Sequence, residues 1–66
     1  MAIVKTIEVI AGSEKSWEDA AKIGVAQASK SLKNIRSAWV SDQKVVVKDG
    51  EVTEFRVNLK ISFELE

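Results

Sequence analysis

Sixty-six residues without a cysteine or a histidine exclude a disulfide framework, a thiolate metal centre and the commonest general base. Ten basic and ten acidic residues leave no net charge, so there is no cationic surplus to neutralise a nucleic-acid backbone, and no apolar run reaches the ~18–20 residues of a membrane span. A chain this short buries a modest fraction of its surface, and oligomerisation is the route to stability that this composition leaves open.

Residues 2–10, AIVKTIEVI, are rich in β-branched side chains and read as a first strand. Ile3, Ile7 and Val9 share one face, and Val4 and Ile10 the other, so cover is expected on both. The opening MAIVKTIEV lacks the apolar region and cleavage site of a signal peptide, which makes a cytoplasmic location the expectation. AGSEKS then breaks the strand, with Gly12 as punctuation.

Ser16 opens Ser-Trp-Glu-Asp, the acidic variant of a capping box with Asp19 at the third helical position. Apolar or small residues follow at i, i+3, i+4 spacing and predict a helix over about 17–33. Its inner stripe is Trp17, Ala20, Ala21, Gly24, Val25, Ala28 and Leu32. Small residues let a helix sit close to a sheet but supply little apolar area, so burial must be completed elsewhere. Lys22, Lys30 and Lys33 read as the solvated face.

KDGE, 48–51, is an Asp-Gly turn between two strand-like runs and signals a hairpin. After it, Phe55, Val57, Leu59, Ile61, Phe63 and Leu65 alternate strictly with polar residues, giving one core face and one polar face. Before it, the alternation slips: Ala38 and Val40 are apolar at even positions, Val45 and Val47 at odd ones. A one-residue bulge near Gln43–Lys44 would restore the phase. Ala38 and Val40 then face the helix, and Trp39 lies with Ser37 and Ser41 on the opposite face, opposite Arg56 and Lys60.

The fold class is α+β, ordered β-α-β-β, with a three-stranded antiparallel sheet wrapped around one helix. No linker, low-complexity tract or repeat interrupts residues 1–66, which read as a single domain. One helix leaves the second sheet face bare, to meet water or other subunits. For Trp39 on that face three readings stand open: packing at a subunit interface, stacking on a ligand, or plain exposure. Asp42, Asp49, Glu51, Glu54 and Glu64 lack EF-hand spacing and read as surface carboxylates rather than a metal site. Symmetry could still gather copies of one carboxylate at an axis. No activated nucleophile and no glycine-rich phosphate loop stands out, so catalysis is not expected.

WEDAA at the helix start, NIRSAWV opening the second strand, KDGEV at the hairpin and FRVNLKISFELE at the end resemble the dodecins over nearly all 66 residues. The resemblance implies a hollow homododecamer of cubic symmetry that binds small-molecule cofactors, often flavins in pairs, for storage rather than catalysis. In flavin-binding members a tryptophan early in the second strand stacks on the isoalloxazine ring, and the position matching it here is Ser37. A glutamine in the third strand meets the ring's polar edge, and Arg56 stands there. A guanidinium donates hydrogen bonds but cannot accept them, so it suits the ring carbonyls and not the ring N–H. Some bacterial members use a basic residue late in the second strand for the phosphate, and Lys44 falls there.

Ser37 cannot supply the stacking of an aromatic ring, worth ~1–3 kcal/mol by analogy with base stacking. Trp39, two residues along on the same face, is the candidate substitute. The resulting expectation is a non-catalytic binding or storage protein for FMN, riboflavin or a related nucleotide-bearing cofactor such as coenzyme A. Its rival is a dodecameric shell that has lost tight flavin binding and serves a structural or ion-binding role. Neither nucleic acid nor membrane is an expected partner.

Overall fold

The computed structural model describes residues 3–65. Strict alternation puts Val57, Leu59, Ile61 and Phe63 on one face of the last strand, and all four are buried. That strand, β3 (Glu51–Leu65), lies between β1 (Ile3–Ser13) and β2 (Ile35–Lys48), antiparallel to both. The helix α1 (Trp17–Ala28) packs on the β1–β3 side of the same face. The expected β-α-β-β order and three-stranded antiparallel sheet are therefore the observed ones.

Close approach of α1 depends on its small residues. Ala20 is fully buried, and a Cβ placed on Gly24 would lie 2.5 Å from Leu59 Cδ1 and 3.0 Å from Ala11 Cβ. Ala11, Ala20, Val57, Leu59 and Ile61 form the core, with Ile7, Val9, Ala21, Ala28 and Ile35 packed around it.

Four details depart from the sequence reading. β1 does not stop at Ile10: Ala11, Gly12 and Ser13 continue it, paired with Val57, Arg56 and Phe55. The length of β3 supplies partners for them, and a glycine in a paired strand need not end it. The helix ends at Ala28 rather than near 33. The Ser29 hydroxyl donates to the Ala26 carbonyl at 2.8 Å, and the amides of Ser31 and Leu32 both turn back to the Ala28 carbonyl. Serine side chains that bond nearby backbone compete with helix propagation. Leu32 thus leaves the helical stripe, and Asn34, at φ 61°, turns the chain into β2.

The bulge on β2 falls at Ser41, not at Gln43–Lys44. Val40 pairs with Leu59 and Asp42 with Asn58, so Ser41 is the extra residue. A second extra residue, Arg36, sits at the start of β2, and Thr53 is the extra residue on β3 near the turn. The phase argument survives: Ala38, Val40, Val45 and Phe55 share the helix side, while Trp39 and Lys44 lie on the other. The fourth departure is at the helix start. Ser16 Oγ accepts from the Asp19 amide at 2.9 Å as a cap should, but the Asp19 carboxylate accepts from the buried Ser13 hydroxyl at 2.6 Å instead of reaching back to Ser16.

At the hairpin, Asp49 at φ 52° and Gly50 at φ 79° make the two left-handed residues of a type I′ turn. Trp17 joins the start of α1 to both strands of the hairpin. Its ring meets Phe55 edge-on at 5.3 Å and its Nε1–H donates to the Lys44 carbonyl at 3.0 Å.

Candidate functional site

Cross-strand partners share a sheet face, so the register lays out the side of the sheet away from α1 as rows. Thr6, Ser62 and Ser37 form a hydroxyl row, with Thr6 Oγ1 and Ser62 Oγ 3.1 Å apart. Glu8, Lys60 and Trp39 form the next row, then Ile10, Asn58 and Asp42, then Gly12, Arg56 and Lys44. The four candidate residues Ser37, Trp39, Lys44 and Arg56 thus lie on one face. They form two clusters on it.

The aromatic cluster is built on Trp39, which is 63% exposed although it sits mid-strand. Lys60 Nζ lies 4.9 Å from its ring centroid. A cation over an exposed ring contributes about 0.5–1 kcal/mol, enough to bias the indole's orientation. Ser37 flanks it across from Ser62, a small polar neighbour that leaves room beside the ring.

The charged cluster lies four residues further along β3, on the order of 13 Å away at ~3.3 Å per residue. Lys44 and Arg56 stand directly opposite each other, a like-charge pair that is unfavourable unless an anion compensates it. Arg56 Nε–H donates to the Glu54 carboxylate. Arg36 likewise pairs with Glu64 at 3.2 Å. Among the described residues Lys44 joins no ion pair.

Ser37 and Arg56 are separated by six residues along β3, on the order of 20 Å. One protomer cannot apply both to a single ring. A site that used both would take them from different copies. Sequence reasoning placed Lys60 on the right face but missed its contact with Trp39, and it missed the Glu54–Arg56 pair entirely. The Lys60 contact depends on how β2 pairs with β3, whereas Glu54 and Arg56 stand two residues apart on one face of β3, a spacing present in the sequence itself. Among the described residues no group of three or more acids stands where it could hold a metal ion. No described helix is long and apolar enough to cross a membrane.

Fold and face together define a small β-α-β-β protein whose sheet covers one helix and presents an exposed tryptophan among cations and hydroxyls on its other side. The family model for dodecin matches residues 3–66. The chain belongs to the dodecin family. It is 35% identical over 65 residues to calcium dodecin of Mycobacterium tuberculosis, covering 98% of this chain and 92% of that one. The crystal structure of that protein, described as having a novel calcium-binding site, superposes with a TM-score of 0.86, over 97% of this chain and 91% of that one. The dodecin from Streptomyces coelicolor gives a TM-score of 0.94 at 28% identity, over 98% of this chain and 93% of that one. An arginine-to-alanine variant of the Thermus thermophilus dodecin gives 0.93 at 27% identity, over 100% and 98%.

Proposed function

We propose that this chain is a non-catalytic, homo-oligomeric binding and storage protein for flavin or a related nucleotide-bearing cofactor, held on the outer sheet face. The observation that carries the reading is Trp39: a large ring, mostly exposed, aligned by Lys60 on a face that α1 does not cover. A planar heterocycle stacks on such a ring, and the neighbouring hydroxyls of Ser37 and Ser62 offer hydrogen bonds to its polar edge. The Lys44–Arg56 pair takes the anionic group. The separation between the two clusters fits a ligand or ligand pair that spans more than one protomer. Coenzyme A, with an aromatic base and phosphates, suits the same two clusters. The test is native mass spectrometry of protein from cells, with flavin fluorescence titration of the ligand-free protein. A visible flavin spectrum and quenching on titration support the reading. A colourless protein that quenches neither FMN nor riboflavin removes flavin as the ligand.

A second reading is an ion-binding shell, favoured by the 35% identity to a protein named calcium dodecin. Glu8, Asp42 and Glu64 stand on the outer face in separate rows, so calcium would draw carboxylates from several copies. Calorimetric titration of chelator-treated protein with calcium tests this; heat that saturates at less than one ion per chain is the expected sign of a site on a symmetry axis.

A further inference from the structure

Glu54 occupies a seat that Gly12 provides. A Cβ on Gly12 would lie 2.8 Å from the Glu54 Cδ and 3.0 Å from both carboxylate oxygens. Only a residue without a side chain lets the carboxylate lie there against β1. From that seat Glu54 accepts from Arg56 Nε–H. Arg56 itself lies between Gly12 and Lys44 in the register. Glu54 is one-third exposed and Arg56 under one-half, so the pair is neither a loose surface contact nor a buried one.

We propose that Glu54 is a built-in competitor for Arg56 and thereby a specificity-determining residue: it holds the guanidinium until a ligand carrying a doubly charged phosphate monoester displaces it. The inference rests on the reading that the Lys44–Arg56 pair meets the ligand. With Glu54 in place, the two cations and one carboxylate carry a single net positive charge. A neutral ligand gains nothing there, and a singly charged one gains too little to displace the carboxylate. A phosphate monoester carries about −1.5 to −2 at pH 7 and three acceptor oxygens, and it can bridge Arg56 and Lys44 together. Glu54 is thus a positioning residue for Arg56; it touches the ligand only by giving way to it.

Three variants test this against FMN and riboflavin, which differ by the phosphate alone. Glu54→Gln keeps shape and removes the competing charge. Its FMN affinity should rise about tenfold, the scale of one charge-assisted hydrogen bond reduced by solvent screening, with riboflavin affinity unchanged. Gly12→Ala closes the seat against the flexible end of Glu54 and should shift FMN in the same direction by less. Adding Lys44→Ala to Glu54→Gln should cancel the gain. The Arg56 Nε–H resonance gives a readout without any ligand: it exchanges more slowly in the wild type than in Glu54→Gln, where a neutral amide oxygen replaces the carboxylate, or in Gly12→Ala, where the seat is closed. Equal gains for FMN and riboflavin, or no gain with the resonance unaltered, overturn the proposal. If no variant binds either flavin, inorganic pyrophosphate separates the two claims. Tighter pyrophosphate binding by Glu54→Gln than by wild type upholds the role of Glu54 and discards flavin, whereas unchanged pyrophosphate binding overturns both.

Discussion

Trp39 holds its exposed position because the row it belongs to offers no apolar neighbour: Lys60 lies opposite and Glu8 beyond that. Among the described residues its compensation is the cation over its ring. Ser37 stands one row away with a hydroxyl where a second ring would fit. Ser37→Trp should therefore strengthen riboflavin binding, by up to the ~1–3 kcal/mol of one stacked ring. Fluorescence titration reads the gain directly, and unchanged affinity would show that Trp39 has taken the stacking role or that the ring sits elsewhere. On the opposite face the same scale gives a packing prediction. Phe63 is 8% exposed, between Lys5 and Ile35 in the register. Truncating a buried phenylalanine costs ~3–5 kcal/mol, a large share of the stability that a domain of this size holds. Phe63→Ala should fail to give a cooperative urea transition, and a wild-type curve would place that side chain outside the core.

At the scale of elements, α1 is fastened by closeness rather than by large side chains. Gly24 sits where any Cβ meets both Leu59 and Ala11, and Leu59 is fully buried, so it has little room to give. Gly24→Ala brings an overpacking cost of about 1–3 kcal/mol. The helix-propensity gain of about 1 kcal/mol offsets only part of it. A net loss in melting temperature is expected, the reverse of what alanine does in an open helix. Trp17 supplies the other fastening. Its indole N–H ties the first turn of α1 to the Lys44 carbonyl, and Trp17→Phe should keep the ring contact with Phe55 while losing about 0.5–1.5 kcal/mol of hydrogen bonding. Equilibrium denaturation of the two proteins measures that difference, and a cost near that of Trp17→Ala would assign the stability to packing instead.

For the whole molecule the decisive fact is how much apolar surface one protomer leaves uncovered. Ile3, Val4, Ile10, Ile23, Val47 and Val52 are each at least 40% exposed, and the protomer measures 51 × 19 × 14 Å. Val47 and Val52, paired near the hairpin turn, are both more than half exposed. A cohesive core of five residues is small against that surface. The expected state is a stable homo-oligomer, of twelve copies on the family's pattern. Sedimentation velocity at micromolar concentration should show one large species, and a folded monomer would defeat the expectation.

The sequence by itself determined the element order, the hairpin turn and the inward face of β3, because each rests on local chemistry. Asp49–Gly50 has one favoured turn geometry, Ser16 can cap the free amides of a following helix, and alternation over β3 fixes which side is apolar whatever the partner strands do. It also placed Trp39 away from the helix, since the slip between Val40 and Val45 requires a bulge somewhere between them. Only the tertiary structure decided where. The bulge at Ser41 rather than two residues later puts Asp42, and not Ser41, opposite Asn58 on the outer face, and neighbouring residues give no signal for that choice because either position restores the phase. The continuation of β1 through Gly12 was decided by the partners β3 offered, and with it the seat for Glu54. Those contacts join residues more than forty positions apart, and their geometry is set by strand register, which no local pattern encodes.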